Sequence, residues 1–382
     1  MSTPPARRRQ LRTWSPARKQ ELVQAVTAGS ASGPELLDLA SNDYLSLCRH
    51  PSLIAAAEAQ LRCSGVGAGG SRLVSGSRPV HDQLESELAQ WLGREKVLLF
   101  PSGFQANLAA VKALANRHTT VVADRLIHHS LLVGVQASGA RLRRFVHNDL
   151  ESLERLLLHC RSEHPDARLL VITESLFSME GTSPRVHELA TLCERHGASL
   201  LLDEAHALGV LGEGGRGLGF GERRVTMLSG TFGKAFGSGG AFLACDGELG
   251  EQLLQESGAF RYTTALAPPL AAAALAALEL MRNNSEWGYT LVQRSNTWRD
   301  RLVEAGWARP TGGGPILPLL VGEDQQCLNL QRHLELSGLF TAAIRPPTVP
   351  EGRARLRLVL HRLLPDETLE SLLRALSDGR VS

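Results

Sequence analysis

The chain has 382 residues, with 41 lysines and arginines against 39 aspartates and glutamates and a net charge of +2. A charge this close to zero gives no electrostatic basis for binding nucleic acid or an anionic membrane, and an aromatic content of 5% disfavours base stacking on single strands. The length allows one large core and a smaller second one, and 43% hydrophobic with 21% charged residues is typical of a folded globular protein.

The N-terminal segment, residues 1–45, is predicted to precede the folded domains. Its first 14 residues hold Arg7, Arg8, Arg9 and Arg12 but no apolar stretch of the kind found in a secretory signal. We expect a cytoplasmic protein, and this basic start is interpreted either as a transit peptide or as an arm docked on the rest of the chain. No apolar run approaches the roughly 18–20 residues of a membrane span.

Residues 46–285 are predicted to form a large α/β domain. Short, continuously apolar runs alternate there with helical patterns, which is typical of a mostly parallel central sheet with helices on both faces. The predicted strands are Val97–Phe100, Thr120–Ala123, Arg141–Val146, Leu169–Thr173, Leu200–Asp203, Thr226–Ser229 and Ala241–Ala244. The predicted helices are His81–Leu92, Phe104–Ala115, Ser130–Ser138, Asp149–Cys160, His187–His196 and Pro268–Met281.

Residues 286–382 are predicted to form a smaller C-terminal α+β domain. It begins with a long amphipathic helix, Trp287–Ala305, and no internal repeat occurs anywhere in the chain. The later predicted elements are the strands Ile316–Val321 and Leu356–Leu360 and the helices Cys327–Leu336 and Asp366–Leu376.

The six cysteines are scattered along the chain and include no C-x-x-C pair. Free, buried thiols in a reducing compartment are therefore expected. No metal site is predicted.

Three glycine-rich stretches resemble nucleotide-binding loops but lie in the wrong context. Gly65–Gly70 and Gly212–Gly217 match G-x-G-x-x-G, yet neither follows a strand and opens a helix, which disfavours a nicotinamide cofactor. Ser229–Lys234 ends in Gly-Lys like a P-loop, but Leu228 and Ala235 stand where that motif needs a glycine and a hydroxyl. We expect the glycines of the first two stretches to allow close approach to a ligand or a neighbouring subunit.

Lys234 is one of only four lysines in a chain that otherwise uses arginine for its cations. It follows an apolar strand and lies within glycine-rich backbone. Because a desolvated lysine can lose its proton and arginine cannot, this position favours a Schiff-base lysine. A surface lysine at the end of a strand is the alternative.

Two further signals lie at the ends of predicted strands. Asp203 ends an apolar strand where open α/β sheets bind ligands, and His206 can reach the same site from the following loop. Phe100–Asn107 changes from strand to helix, and the free N–H groups of that helix start could bind phosphate. Each pattern also occurs as a simple cap or helix start. Together with Lys234 they describe a pyridoxal-phosphate site, in which an acid holds the pyridine nitrogen, a lysine the aldehyde and a helix the phosphate.

Six motifs, in this order along the chain, resemble those of the α-oxoamine synthases. They are Asn42–Leu45, Gly67–Ser77, Ser102–Phe104, Asp203–His206, Thr231–Lys234 and Arg345–Thr348. The resemblance covers nearly the whole chain from about Asp38. It implies a fold-type I pyridoxal-phosphate enzyme that condenses an amino acid with an acyl thioester and releases carbon dioxide. Ala343–Pro350 is most similar to the branch that joins L-alanine to a pimeloyl thioester in biotin biosynthesis, whereas aminolevulinate synthases usually carry Asn-Tyr-Pro-Thr at Arg345–Thr348.

The resemblance implies pyridoxal 5′-phosphate as the cofactor and assigns its contacts. Lys234 would hold the cofactor as an imine, Asp203 would pair with the pyridine nitrogen and His206 with the ring oxygen. His128 would stack on the ring, with His129 as a competing register. The implied cofactor-binding set is Gly103, Phe104, Ser178, Asp203, His206, Thr231, Lys234, Thr263 and Thr264. The two threonines at 263 and 264 would reach the phosphate across the interface of a homodimer.

The resemblance also implies the substrate contacts. Arg357 would hold the carboxylate of the amino acid with the help of Asn42. The implied substrate-binding set is Arg12, Asn42, His128, Thr348 and Arg357. Arg12 is the chosen acyl-substrate arginine, with Arg9 and Arg18 in contention. Two departures from the family are Ser46, where glycine is usual, and the run at 361–364, where small residues are usual.

Three other interpretations remain at this stage. A related enzyme could use glycine with an acetyl or succinyl thioester, or serine with a long acyl chain. A scaffold subunit without catalysis would be expected to lack Lys234 or Asp203, and both are present. A nicotinamide dehydrogenase has only the two misplaced glycine matches in its favour. Coenzyme A and a carrier protein both fit as the thiol of the acyl donor.

Overall fold

The computed structural model describes residues 4–17, 21–27 and 30–379; Arg18, a candidate acyl-substrate arginine, lies outside them. The strands are β1 (Trp14–Pro16), β2 (Glu21–Thr27), β3 (Ser30–Asp38), β4 (Lys96–Phe100), β5 (Thr119–Asp124), β6 (Arg141–Phe145), β7 (Arg168–Glu174), β8 (Ala198–Asp203), β9 (Met227–Thr231), β10 (Ala241–Cys245), β11 (Ile316–Gly322), β12 (Leu339–Phe340), β13 (Ala342–Ile344) and β14 (Ala354–Val359). The helices are α1 (Pro51–Ser64), α2 (Pro79–Leu92), α3 (Gly103–Leu114), α4 (His129–Ser138), α5 (Leu150–Glu163), α6 (Val186–Arg195), α7 (Gly247–Glu256), α8 (Gly258–Arg261), α9 (Pro268–Asn283), α10 (Trp287–Glu304), α11 (Asp324–Leu336) and α12 (Thr368–Asp378). Over the described residues, none of the helices is long and apolar enough to cross a membrane.

The described residues divide into two compact units. The large unit comprises Leu47–Phe177 and Ser183–Tyr289, and the small unit comprises the described residues of Met1–Ser46, Ser178–Thr182 and Thr290–Ser382. The predicted boundaries after residues 45 and 285 lie close to two of these borders. The N-terminal segment, which was predicted as a separate arm, shares a unit with the C-terminal region, and so does a five-residue segment that follows β7.

A seven-stranded sheet carries the core of the large unit, with the strand order β4-β10-β9-β8-β7-β5-β6. β10 runs antiparallel to both of its neighbours, and the pairs from β9 to β6 are parallel. The predicted mostly parallel sheet is confirmed, and all seven predicted strands are present. The central strands are buried because their side chains are apolar on both faces, as in the run 200–202 of β8.

Four polar side chains lie where parallel strands of this sheet end. β5 ends at Asp124, β7 at Glu174, β8 at Asp203 and β9 at Thr231. The register pairs Glu174 with Asp203, so these two carboxylates end adjacent strands at the same level. Ligands of α/β proteins bind at this edge of the sheet.

Two helices begin directly after strands that end at this edge. α3 follows β4, and the Oγ of Ser102 accepts a hydrogen bond from the backbone N–H of Gln105 at 3.3 Å. α4 follows β5, and His128 caps it, because its Nδ1 accepts from the N–H of Ser130 at 3.3 Å. The predicted helices here are therefore confirmed, and their caps bring a hydroxyl and an imidazole to the edge of the sheet.

Two small sheets belong to the described part of the small unit. β1, β2, β3 and β12 form one, and β11, β14 and β13 form an antiparallel one. The predicted elements of the C-terminal region are present, but the strands β1 to β3 were not predicted. β1 has only three residues and β3 contains Gly33 and Pro34, so neither carries the apolar run by which the other strands were recognised.

The second G-x-G-x-x-G stretch, Gly212–Gly217, has a structural role. The loop after it wraps the buried carboxylate of Glu204, which accepts hydrogen bonds from the N–H groups of Gly219 at 2.5 Å and Leu218 at 3.2 Å. A β carbon on Gly217 would lie 2.6 Å from this carboxylate, so only glycine fits. Burial raises the pKa of Glu204 to about 7. In the structure the stretch neither follows a strand directly nor opens an α-helix, which is the context that was predicted for it.

The six cysteines, each among the described residues, are free thiols. Four of them are buried, as predicted. The prediction of burial is wrong for Cys48 and Cys63, which are exposed. Cys63 lies on α1, where Leu53 is the buried position, so a thiol near the end of that helix faces solvent.

Candidate active site

Asp203 is held in one orientation at the end of β8. It is 5% exposed. Its Oδ1 accepts from the N–H of Ala205 at 2.9 Å, and its Oδ2 accepts from the Nδ2 of Asn107, on α3, at 2.8 Å. A buried and oriented carboxylate is suited to pair with a cationic ring nitrogen, which is the role predicted for it.

A chain of hydrogen bonds leads from Asp203 to His128. Besides Asp203, the Nδ2 of Asn107 donates to the Oγ of Ser130 at 2.9 Å, and its Oδ1 accepts from the Oγ of Ser229 at 2.6 Å. The Oγ of Ser130 in turn lies 2.7 Å from the Nδ1 of His128. Three elements, α3, α4 and β9, therefore hold the acid and the imidazole in one network.

The charges of Lys234 and Asp203 act on the same two side chains. Burial lowers the pKa of His128; Asp203 opposes this change and Lys234 adds to it. Burial raises the pKa of the Glu174 carboxyl well above its ordinary value, Asp203 raises it further and Lys234 opposes the rise. Lys234 is half-buried in the turn after β9. The predicted lysine and the predicted acid thus lie within electrostatic range of a common cluster.

The start of α3 and the end of β9 form an anion cradle. The N–H groups of Gln105 and Ala106 bond the capping Ser102, so those of Gly103 and Phe104, which have no acceptor earlier in the helix, project from its positive end. Thr231 lies beside them: a β carbon placed on Gly103 would be 3.8 Å from its Oγ1. Backbone donors with a hydroxyl alongside are the groups that a phosphate needs.

The remaining predicted cofactor contacts of the large unit lie nearby in its fold. His206 is buried in the turn that follows β8. The Oγ1 of Thr263 accepts from the Nε2 of Gln105 at 3.3 Å, and Thr264 pairs with Ser71 in an isolated β-bridge. Thr263 is thus close to the start of α3 in its own chain, and contact with a second subunit stays a prediction.

In the small unit, three of the predicted residues meet at Arg357. Its Nε donates to the backbone oxygen of Ser178 at 2.6 Å, and its Nη2 donates to the Oδ1 of Asn42 at 2.7 Å. Arg357 is 5% exposed, and burial lowers its pKa, while the buried Tyr44 hydroxyl opposes that change. A guanidinium fixed through two of its nitrogens is pre-oriented for a carboxylate.

The two described N-terminal arginines in contention have different partners. Arg12 pairs with Glu335 at 2.6 Å and stacks on the ring of Trp14, 4.5 Å from its centroid. Arg9 donates from its Nη2 to the Oγ1 of Thr348, itself a predicted substrate contact, at 3.1 Å. The charge of Arg12 is thus already compensated by a carboxylate. Which of the two arginines contacts the acyl substrate stays a prediction.

Sequence reasoning assigned no role to Asn107, Ser130 or Glu174. Glu174 could have been found by the rule that selected Asp203, since it also ends an apolar parallel strand. Its Oε1 accepts from the N–H of His128 at 2.6 Å, which fixes the backbone that carries the imidazole. Asn107 and Ser130 gave no such signal, because a polar residue in the first turns of a helix is usually exposed.

Comparison with known proteins identifies the family of the chain. Residues 34–376 match the family aminotransferase class I and II. The chain is 43% identical to the 8-amino-7-oxononanoate synthase of Chromohalobacter salexigens over 89% of its length and 88% of the relative, and 42% identical to that of Stutzerimonas stutzeri over 94% and 92%. Both relatives confirm the resemblance found in the sequence.

Solved structures give the same fold. The serine palmitoyltransferase of Sphingomonas wittichii superposes with a TM-score of 0.89 at 28% identity, covering 94% of this chain and 89% of that one. The 8-amino-7-oxononanoate synthase of Francisella tularensis superposes with a TM-score of 0.76 at 27% identity, covering 90% and 96%. The predicted fold-type I transferase architecture is thereby confirmed. Because the family model matches most of the chain and two relatives are more than 40% identical to it, the chain belongs to the aminotransferase class I and II family and, within it, to the 8-amino-7-oxononanoate synthases.

Proposed function

We propose that this protein condenses L-alanine with a pimeloyl thioester to give 8-amino-7-oxononanoate, carbon dioxide and the free thiol, as a step of biotin biosynthesis. The observation that carries the proposal is the 43% identity to an 8-amino-7-oxononanoate synthase over 89% of the chain. The enzyme is a pyridoxal-phosphate-dependent acyltransferase, and it acts in the cytoplasm, in keeping with its six free thiols.

The residues at the edge of the large sheet fit pyridoxal 5′-phosphate. The amides of Gly103 and Phe104 and the hydroxyl of Thr231 suit a phosphate, Asp203 suits a protonated pyridine nitrogen, and Lys234 suits an aldehyde. His206 completes the proposed set at this edge, with His128 against the ring, and Ser178 of the small unit is a cofactor contact on the resemblance alone. When bound, the cofactor supplies an electron sink that stabilises negative charge on the α-carbon of the amino acid.

Lys234 carries the proton transfers in the proposed reaction. Its Nζ holds the cofactor at rest and, once the amino acid has taken that place, removes the proton from the alanine Cα. A neutral amine is needed for this step. Asn107 and the backbone of Ala205 donate to the Asp203 carboxylate and hold it in one orientation. His128 stays neutral because burial lowers its pKa.

The new carbon–carbon bond joins the alanine Cα to the thioester carbonyl carbon. The thiol leaves from that carbonyl, the alanine carboxylate leaves as carbon dioxide, and a proton returns to the same Cα. Arg357 orients the carboxylate that is lost, and Asn42 fixes Arg357 through the 2.7 Å hydrogen bond between them. We assign Arg9 and Thr348 to the acyl donor, since Arg9 donates to Thr348 and forms no ion pair with the described carboxylates.

We also propose a homodimer. The exposed large apolar side chains of the described residues include Val74 at 83%, Phe104 at 44% and Tyr262 at 81%. They flank the contact that joins Ser71 to Thr264 and Gln105 to Thr263. Such a concentration of exposed apolar side chains supports a partner surface, and a second copy of this chain is the proposed partner.

A product assay tests the function. Purified enzyme is given pimeloyl-coenzyme A with L-alanine, glycine or L-serine, and thiol release and 8-amino-7-oxononanoate are measured. We expect turnover with alanine at least tenfold above that with the other two amino acids. The TM-score of 0.89 to a serine palmitoyltransferase makes serine with palmitoyl-coenzyme A the second candidate pair. Faster turnover of that pair would replace the proposed substrates.

A further inference from the structure

The side chain of Asn107 makes three hydrogen bonds inside the large unit and is 3% exposed. Its Nδ2 donates to the Oδ2 of Asp203 at 2.8 Å and to the Oγ of Ser130 at 2.9 Å. Its Oδ1 accepts from the Oγ of Ser229 at 2.6 Å. Both of its amide hydrogens are therefore used in hydrogen bonds within the large unit.

These partners fix which way the amide group faces. The Oδ2 of Asp203 lies 2.8 Å from the Nδ2 of Asn107, and a carboxylate oxygen accepts from an amide nitrogen, so the Nδ2 of Asn107, and not its Oδ1, faces it. The hydroxyl of Ser229 meets the opposite side of the amide and donates to Oδ1. The second hydrogen on Nδ2 then points at Ser130, which leaves the Ser130 oxygen as an acceptor there.

The donors around Nδ1 indicate the protonation of His128. The Ser130 oxygen accepts from Asn107 and lies 2.7 Å from the Nδ1 of His128, to which its single hydrogen can be donated. The backbone N–H of Ser130 also points at that Nδ1, at 3.3 Å. A nitrogen that accepts from two donors carries no proton, so a neutral His128 has its hydrogen on Nε2.

We propose that Asn107 is a positioning residue that couples the carboxylate of Asp203 to the Nε2–H tautomer of His128. It acts through Ser130 on the imidazole and directly on the carboxylate. Without the hydrogen bond between Asp203 and Asn107 the amide would be free to turn, and His128 would lose its fixed tautomer. The coupling rests on the hydrogen bonds of the chain, whereas its effect on cofactor binding rests on the proposed function.

The charged and titratable groups around His128 are consistent with this coupling. Asp203, Lys234 and His129 act on its ring, and burial lowers its pKa. Glu174 lies on the backbone side, where its Oε1 accepts from the His128 N–H. Within the described residues, Asp203 is connected to the His128 ring by continuous hydrogen bonds through Asn107 and Ser130.

Nitrogen NMR of the holoenzyme labelled with ¹⁵N-histidine reads the tautomer directly. The chain has 13 histidines, so the His128 signals must be assigned. They are the signals that disappear in a His128→Asn protein, and this variant is used for assignment only. We expect separate Nδ1 and Nε2 signals with the hydrogen on Nε2 in the wild-type protein. Cofactor dissociation constants, from the absorbance of the bound cofactor, form the second readout.

Two variants separate the two arms of the coupling, which are the hydrogen bonds from Asn107 through Ser130 to His128 and the hydrogen bond from Asn107 to Asp203. Ser130→Ala removes the first arm, so we expect an altered tautomer population with a cofactor dissociation constant within about twofold of wild type. Asn107→Leu keeps the volume but cuts both arms, so we expect the same tautomer change together with cofactor binding weakened about tenfold or more, since Asp203 loses a charge-assisted hydrogen bond. Asn329→Leu, on the exposed face of α11, is the matched control and should change neither readout.

Several results would overturn the proposal. An Nδ1–H tautomer in the wild-type protein would contradict it, and so would a Ser130→Ala protein whose His128 signals are unchanged. A folded Asn107→Leu protein with wild-type values for both readouts would show that Asn107 only fills space. If thermal melting shows that Asn107→Leu does not fold, Ser130→Ala decides the proposal alone. None of these readouts uses pimeloyl turnover, so failure of the proposed reaction is recognised separately.

Discussion

Replacing Arg357 with lysine tests the carboxylate site. In the wild-type chain the guanidinium is fixed through Nε on Ser178 and Nη2 on Asn42, which leaves other N–H groups of the same plane for a ligand. Lysine keeps the positive charge but has one nitrogen, which cannot serve Ser178, Asn42 and a bidentate carboxylate together. The variant is therefore expected to lose about one charge-assisted hydrogen bond to alanine, worth about 1.5–3 kcal/mol.

That loss corresponds to a rise of about 10- to 150-fold in KM for L-alanine. The carboxylate is held equally before and during proton removal, so kcat should stay within about threefold of wild type. Initial rates of thiol release over a range of alanine concentrations measure both constants. KM for the pimeloyl thioester serves as an internal reference and should not move.

Arg355→Lys is the matched control. Arg355 lies two residues earlier on β14, is 7% exposed, and donates to the backbone oxygen of Met179 at 3.1 Å and to Glu180 at 3.3 Å. Both lysine variants should lower the thermal midpoint, but only Arg357→Lys should raise KM for alanine. If Arg357→Lys left that KM within twofold of wild type, the assignment of the carboxylate site would be refuted.

Three further predictions concern other groups. Lys234→Ala should lose the visible absorbance of the bound cofactor and turnover together, and native turnover would exclude it as the catalytic lysine. Burial raises the pKa of Glu204 from 4.5 to about 7, so its contribution to stability is greatest below the unfolded value of 4.5 and is lost as the pH rises through 7. The wild-type free energy of unfolding should therefore fall by about 3 kcal/mol more than that of Glu204→Gln between about pH 5 and pH 8, measured by urea denaturation, and parallel pH profiles would contradict this. Arg9→Ala should raise KM for the pimeloyl thioester about tenfold, whereas Arg12→Ala should lower the thermal midpoint with KM within twofold; the reverse pattern would restore Arg12 as the substrate arginine.

The large sheet was predictable because each of its strands is a continuous apolar run bounded by turn residues. Leu200–Leu202 followed by Asp203 is an example, in which one pattern gave both the strand and the acid at its end. Lys234 was identifiable by its rarity and its place after such a strand. The six motifs, which follow one another along the chain from Asn42–Leu45 to Arg345–Thr348, then allowed the family to be recognised.

The parts that were not predicted depend on contacts between distant residues. Asn107 and Asp203 are 96 positions apart, and Asn107 and Ser229 are 122 apart, so no local pattern links them. Of the unpredicted strands β1 to β3, β3 pairs with β12, which is about 300 residues away in sequence. The choice between Arg9 and Arg12 depended on a carboxylate, Glu335, that the sequence does not place next to either.

The segment Ser178–Thr182 has a consequence for any attempt to divide the protein. Its neighbours along the chain belong to the large unit, while Arg355 and Arg357 of the small unit supply donors to the oxygens of Ser178 and Met179. No single cut of the backbone can therefore release one unit intact. A fragment ending near residue 289 would retain those carbonyls without their guanidinium donors, and we expect limited proteolysis near residue 289 to destabilise both fragments.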